Sequence, residues 1–185
     1  HHQASTHRKE QKNSLVWTKF EEEKKQLEET RQNEKLLPNF TLSPKAEITT
    51  DIEYCIKDKD LLIIAIPAAF IDSLAYAMKP YIKDNHILIA TKGIEQETGL
   101  FINEILEKYL DTKNIAVMSG PSFAVDLITK MPAGLSLASK NEKTIKIVKA
   151  AFKSDYVKLR ETDDVIGVEI CGAIKNVIGK IEKLE

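Results

Sequence analysis

Apolar residues fall into two kinds of run along this chain. Leu61 to Ile66 (LLIIAI) is a continuous apolar stretch closed by Pro67, and HILIAT, ending at Thr91, is a second. IAVMS, stopping at Gly120-Pro121, is a third. Continuous rather than alternating hydrophobicity predicts strands buried on both faces, as in a parallel sheet. Segments of helical character lie between them: Ala68 to Met78, ended by Pro80, LFINEILEKYL from near Gly99, and SFAVDLIT, which Ser122 can cap. AGLSLAS, a helix from about Glu142 to Phe152 and a strand YVKLRE follow. Strands alternating with helices at this rhythm predict βαβ units and an α/β, doubly wound, mostly parallel sheet.

The last predicted helix, Thr162 to Leu184, organises the rest. Ile166, Ile170, Ile174, Val177, Ile178 and Ile181 recur at helical spacing and predict a buried stripe. Thr162, Asp163 and Asp164 offer N-cap side chains before it. Gly172, Lys175 and Gly179 share a second face. Glycine inside a helix costs about 1 kcal/mol relative to alanine, so two on one face suggest a close approach. Lys175 then stands in a hollow with Asn176 beside it. Spacing alone reads equally as tight helix packing around a solvated lysine.

Upstream, His1 to Asn13 is polar, basic and aperiodic, and reads as a tag remnant or disordered leader. SLVW is a short β-prone run. FEEEKKQLEETRQNEKLL reads as a peripheral helix whose few apolar positions are Phe20, Leu27, Leu36 and Leu37. Glu21 with Lys25 and Glu28 with Gln32 supply i,i+4 pairs. Pro38 and Pro44 bound a loop expected to run to Thr50.

Composition narrows the partners. The 185 residues carry a net charge of −1, with 27 Lys+Arg against 28 Asp+Glu, so bulk charge makes no case for nucleic acid. No apolar run reaches the roughly 18 residues that span a bilayer, and a soluble, cytoplasmic protein is expected. Cys55 and Cys171 are isolated, without metal-ligand spacing, so no metal is expected.

Right-handed crossovers place the strand C-termini on one edge, where such sheets bind ligands. That edge collects Pro67-Ala68, Thr91-Lys92-Gly93 and Ser119-Gly120-Pro121-Ser122. These are tight turns of small residues, and Lys92 adds a positive charge. A phosphate or pyrophosphate suits such an edge. Each turn taken singly also reads as an ordinary β-to-α connection. The G-x-G-x-x-G fingerprint of dinucleotide-binding sheets is absent from the chain.

ATKGIEQETG, SGPSFA and DDVIGVEICGAIKNVIG, in this order, resemble bacterial NAD(P)-dependent glycerol-3-phosphate dehydrogenase. The likeness extends upstream through SLVWTK, LLPNF and LLIIAIP, from roughly Ser14 to Gly179. It implies a Rossmann-like fold and the reversible oxidation of sn-glycerol 3-phosphate to dihydroxyacetone phosphate with NAD or NADP, supplying glycerol 3-phosphate for phospholipid synthesis. By motif, Lys175 matches the general base for the C2 hydroxyl proton, and Lys92 the second lysine, which contacts substrate and cofactor. A lysine acts as a base near neutral pH only when desolvation or a neighbouring cation lowers its pKa, and Lys92 is that candidate cation. Gly120, Ser122 and Asn176 match substrate-binding positions. Pro67, Ala124 and Lys19 match cofactor-binding ones; Lys19 replaces the family's usual arginine near the adenosine ribose.

The resemblance divides the chain into a leader (1–13), an incomplete NAD(P)-binding domain (14–161) and the start of a helical substrate domain (162–185). The family's glycine-rich opening turn and the later phosphate-gripping cluster are not found, so weak or no NAD(P)H binding is expected of this chain alone. The alternative is a non-catalytic Rossmann-like fragment that self-associates. The partners expected are the small-molecule substrate and, for the enzyme reading, room for a homodimer.

Overall fold

The computed structural model describes residues 14–33, 40–96, 98–120 and 130–181, with 175–181 as backbone only. The chain divides after Asp51 into two compact units. The first contains β1 (Leu15–Trp17), α1 (Glu21–Thr30) and β2 (Glu47–Thr49). β1 and β2 pair in parallel, with Leu15 opposite Glu47 and Trp17 opposite Thr49. The indole Nε1 of Trp17 donates to Thr50 O at 3.1 Å.

Sequence reasoning placed a loop where β2 lies. A three-residue strand shows no alternation of its own, and only its pairing with β1 defines it. The charged helix also stops earlier than expected. Arg31 takes the left-handed conformation (φ 57°) and ends α1 there, and its guanidinium donates to Ala46 O at 2.7 Å. Glu21 faces Lys24 at 4.0 Å rather than Lys25. Gln32 lies past the helix and donates to Thr41. Leu36, Leu37 and Pro38 lie outside the described residues.

The second unit is built on a five-stranded sheet in the order β3-β4-β5-β6-β7. Its elements are α2 (Ile52–Ile56), β3 (Leu61–Ile64), α3 (Ile71–Met78), β4 (His86–Ile89), α4 (Ile102–Leu110), β5 (Ile115–Ser119), β6 (Ala133–Ala138), α5 (Glu142–Ala151), β7 (Val157–Thr162) and α6 (Val165–Ile181). A single 3₁₀ turn, Ala68–Phe70, leads into α3. β3, β4 and β5 run parallel, β6 is antiparallel to β5, and β7 is parallel to β6. The mostly parallel sheet was expected; the reversal at β6 was not. Five residues are too few for α2 to show helical periodicity. α4 starts at Ile102 rather than near Gly99, which sits in a turn at φ 70°.

Side-chain alternation sorts the sheet's two faces. Leu88, Ala116, Met118, Leu135 and Leu137 form one core with Ile145 and Val148 of α5. On the same face His86 Nδ1 meets Thr144 Oγ1 at 2.8 Å, both buried. Asn141 caps α5, its Oδ1 accepting the N–H groups of Lys143 and Thr144 at 2.9 and 3.2 Å. Ile87, Ile89, Val117 and Ser119 point the other way. The reversal of β6 explains the split: a right-handed crossover from a reversed strand, advancing in the same direction, carries its helix to the opposite face.

α6 differs most from expectation. The first half of the predicted stripe is turned outward, with Ile166, Ile170 and Ile174 at 38, 39 and 50 % exposure; the side chains of Val177, Ile178 and Ile181 lie outside what is described. Among the described side chains of the helix, Val168, Glu169 and Gly172 are the buried positions. The side that meets β5 is the one that can come closest, and glycine there outweighs the larger apolar side chains opposite. Of the candidate caps Asp164 is the one used: its Oδ1 accepts the Gly167 N–H at 2.8 Å, while Thr162 Oγ1 accepts the Asp164 N–H at 3.1 Å. Among the described residues no helix is long and apolar enough to cross a membrane.

Candidate active site

Three parallel strands end side by side, and their following turns are tied together. Thr91, after β4, donates its hydroxyl to Ile66 O after β3 at 2.8 Å. Lys92 donates from Nζ to Gly120 O, after β5, at 3.2 Å. Pro67, Lys92 and Gly120 are thereby placed on one edge, as expected from the apolar runs that precede them. Lys92 is half-buried and Ser119 is buried.

α6 reaches the same edge through a close approach at Gly172, and Gly120 lets the end of β5 come equally close to β6. A Cβ at Gly172 would stand 2.7 Å from Ser119 Oγ and 3.7 Å from Lys92 Cγ. A Cβ at Gly120 would stand 2.6 Å from Leu135 Cδ2 and 2.9 Å from the backbone oxygen of Gly134. Around Gly172 the helix rests on Ser119 and the stem of Lys92. Lys175 and Asn176 follow within one helical turn of Gly172. Their side chains lie outside what is described, as do Ser122, Ala124 and the predicted SFAVDLIT helix. Lys19 is exposed beyond β1, in the first unit.

A cavity of about 480 Å³ runs along α6, lined by Ser119, Gly120, Ser136, Thr162, Gly167 and Cys171 among others. Small side chains and hydroxyls dominate it. Among the described residues no group of three or more His, Cys, Asp or Glu is arranged to hold a metal ion.

Sequence reasoning missed one buried ionisable group near this site. Glu169, on the inward stripe of α6, is 5 % exposed, and Oε1 accepts the Asn103 N–H at 3.1 Å. Desolvation pushes its carboxyl up to about 7, opposed by the N–H groups of Asn103 and Ile102 and helped by the charges of Glu104 and Glu107. The available signal was a lone charge in phase with Val168 and Gly172.

The sequence profile described as NAD-dependent glycerol-3-phosphate dehydrogenase N-terminus matches residues 3–145. The chain belongs to this family. It is 36 % identical over 167 residues to glycerol-3-phosphate dehydrogenase [NAD(P)+] of Leptospira biflexa, covering 88 % of this chain and 50 % of that protein. The enzyme of the same name from Acinetobacter baylyi is 32 % identical over 165 residues, covering 89 % and 46 %. The crystal structure of glycerol-3-phosphate dehydrogenase from Coxiella burnetii superposes with a TM-score of 0.81 at 25 % identity, over 88 % of this chain and 50 % of that one. The chain thus spans about half the length of the curated relatives it matches.

Proposed function

We propose that this chain forms the nucleotide-binding part of an oxidoreductase that interconverts sn-glycerol 3-phosphate and dihydroxyacetone phosphate with NAD or NADP. The observation that carries the reading is the meeting of Lys92, Ser119, Gly120 and Gly172 at the edge where β3, β4 and β5 end. The family membership gives that meeting its chemistry.

The residues at this edge fit a nicotinamide dinucleotide in kind: three parallel strand ends, turns of small residues, and one cation beside them. When bound, the nicotinamide supplies hydride acceptance and donation. The chain's own part is to hold the substrate and move its proton. Lys175 takes the proton of the C2 hydroxyl during oxidation and returns it during reduction. Lys92, anchored to Gly120 O, holds positive charge beside Gly172, on the α6 segment that leads to Lys175. By motif, Gly120, Ser122 and Asn176 are assigned to the substrate and Pro67, Ala124 and Lys19 to the cofactor. A cytoplasmic location and a supply of glycerol 3-phosphate to phospholipid synthesis follow from the same reading.

Lys175→Ala tests it. In protein that oxidises NAD(P)H on addition of dihydroxyacetone phosphate, the variant should lose turnover while cofactor affinity changes little; near-normal turnover removes Lys175 from its role. Self-association is the second reading, favoured by the outward Ile166, Ile170 and Ile174 and by Ile63, 52 % exposed on the outer strand β3. Sedimentation velocity tests this second reading: a concentration-independent monomer excludes self-association.

A further inference from the structure

Glu169 has no task in the proposed reaction, yet it is a buried carboxyl held in a defined contact. It sits on α6 one turn before Gly172 and reaches into the first turn of α4. At its start the helix's own Glu104 accepts the Phe101 N–H at 2.8 Å, which leaves the Asn103 N–H to an acceptor from outside. Its preceding residue, Phe101, has no side-chain oxygen, and a helix start leaves up to four N–H groups without intrahelical partners. Glu169 therefore caps α4 from another element, a contact that also fixes where α6 lies along the sheet. Two buried acceptors beside this bond, Glu169 Oε2 and Asn103 Oδ1, have no hydrogen-bond partner among the described residues. A proton on Oε2 converts one of them into a donor. The charged groups facing this carboxyl from α4 are Glu104 and Glu107, both of which favour the protonated form.

From these contacts we infer that Glu169 is a positioning residue whose grip on the first turn of α4 sets the register of α6, seating Gly172 on Ser119 beside Lys92 and so fixing where Lys175 enters the edge. Its bearing on catalysis rests on the dehydrogenase reading; the register itself does not.

Amide proton–nitrogen NMR spectra of the purified protein test the register, for the unaltered chain, Glu169→Gln and Glu169→Ala, between about pH 5.5 and 8.5. In the unaltered chain the Asn103 amide should titrate near neutral pH, and the Ser119 and Gly172 amides should follow the same curve. Glu169→Gln keeps the shape and adds an N–H donor, and should leave all three amides flat with pH and undisplaced from their acid positions. Glu169→Ala should displace all three at every pH. Ser119 and Gly172 unmoved in Glu169→Ala would reduce Glu169 to a local cap and overturn the inference. So would titration of these amides persisting undiminished in Glu169→Gln. Should Glu169→Ala fail to fold, the other two titrations still decide. Turnover is a separate reading: in active protein Glu169→Ala should lower kcat about tenfold or more with KM for NAD(P)H little changed, and Glu169→Gln should restore it. An unchanged kcat refutes the catalytic consequence. No turnover in the unaltered protein, in as long a form as its gene encodes, refutes the dehydrogenase reading and leaves the amide result standing.

Discussion

The contact between Gly172 and Ser119 can be measured by adding one methyl group. In Gly172→Ala the new Cβ would lie 2.7 Å from Ser119 Oγ, whereas its distances to Ser119 Cβ (3.6 Å) and Lys92 Cγ (3.7 Å) are ordinary contacts. Only the hydroxyl obstructs it. Either Ser119, which is 8 % exposed, leaves its rotamer or α6 retreats by several tenths of an ångström. Alanine gains about 1 kcal/mol of helix propensity over glycine. Forcing the buried hydroxyl aside costs about 1–2 kcal/mol. The two effects oppose, so the single substitution should change stability by less than about 1 kcal/mol. In a Ser119→Ala background the obstruction is gone and the same substitution should stabilise by about 1 kcal/mol. A double-mutant cycle read by urea unfolding should therefore show coupling of about 1–2 kcal/mol, with smaller stability in the pair that retains the hydroxyl. Coupling below about 0.3 kcal/mol would mean that α6 does not rest on Ser119, and the geometry of the site would fall with it.

Further outcomes follow from individual groups. Glu169 has a folded-state pKa of about 7, raised from 4.5, so the folded state holds the proton more tightly than the unfolded one. Its contribution is complete below pH 4.5 and is lost as pH rises through about 7, by at most about 3 kcal/mol; Glu169→Gln should flatten that part of a stability-versus-pH curve. His86 has its pKa lowered, chiefly by burial and also by Lys143. The unfolded state then binds the proton more readily, and stability should fall as pH drops below the ordinary histidine value of 6.5. Thr144→Val deprives buried His86 Nδ1 of its partner and should destabilise by about 1–3 kcal/mol in urea unfolding. Lys92→Met removes the ammonium that bonds Gly120 O; active protein should lose about a hundredfold or more in kcat while thermal stability changes little. Equal losses of both would place Lys92 in the scaffold alone.

The sheet and the edge where its three parallel strands end were legible because burial on both faces leaves an unbroken apolar run, as in LLIIAI and IAVMS, and because the turn after each run falls at the strand's end. Pairing partners were not legible. β2 is three residues long and exists through β1, and the direction of β6 depends on its neighbour rather than on AGLSLA itself. On α6 the close approach was readable from Gly172, but the helix face was misjudged. Isoleucine spacing reports apolarity, whereas the face that packs is the one small enough to reach Ser119. Glu169 was passed over because a carboxylate ordinarily reads as solvated, and what it meets when buried is the Asn103 N–H at the start of α4, some 66 residues away in sequence. Local patterns cannot carry a contact of that range.

The measurement that bears most directly on the central claim is the initial rate of NADH and NADPH oxidation on adding dihydroxyacetone phosphate. It should be made with the purified protein, in as long a form as its gene encodes, beside its Lys175→Ala variant. Oxidation that requires dihydroxyacetone phosphate, and that Lys175→Ala abolishes with cofactor binding retained, is the expected result. No oxidation with either cofactor, or oxidation that survives the loss of Lys175, contradicts it.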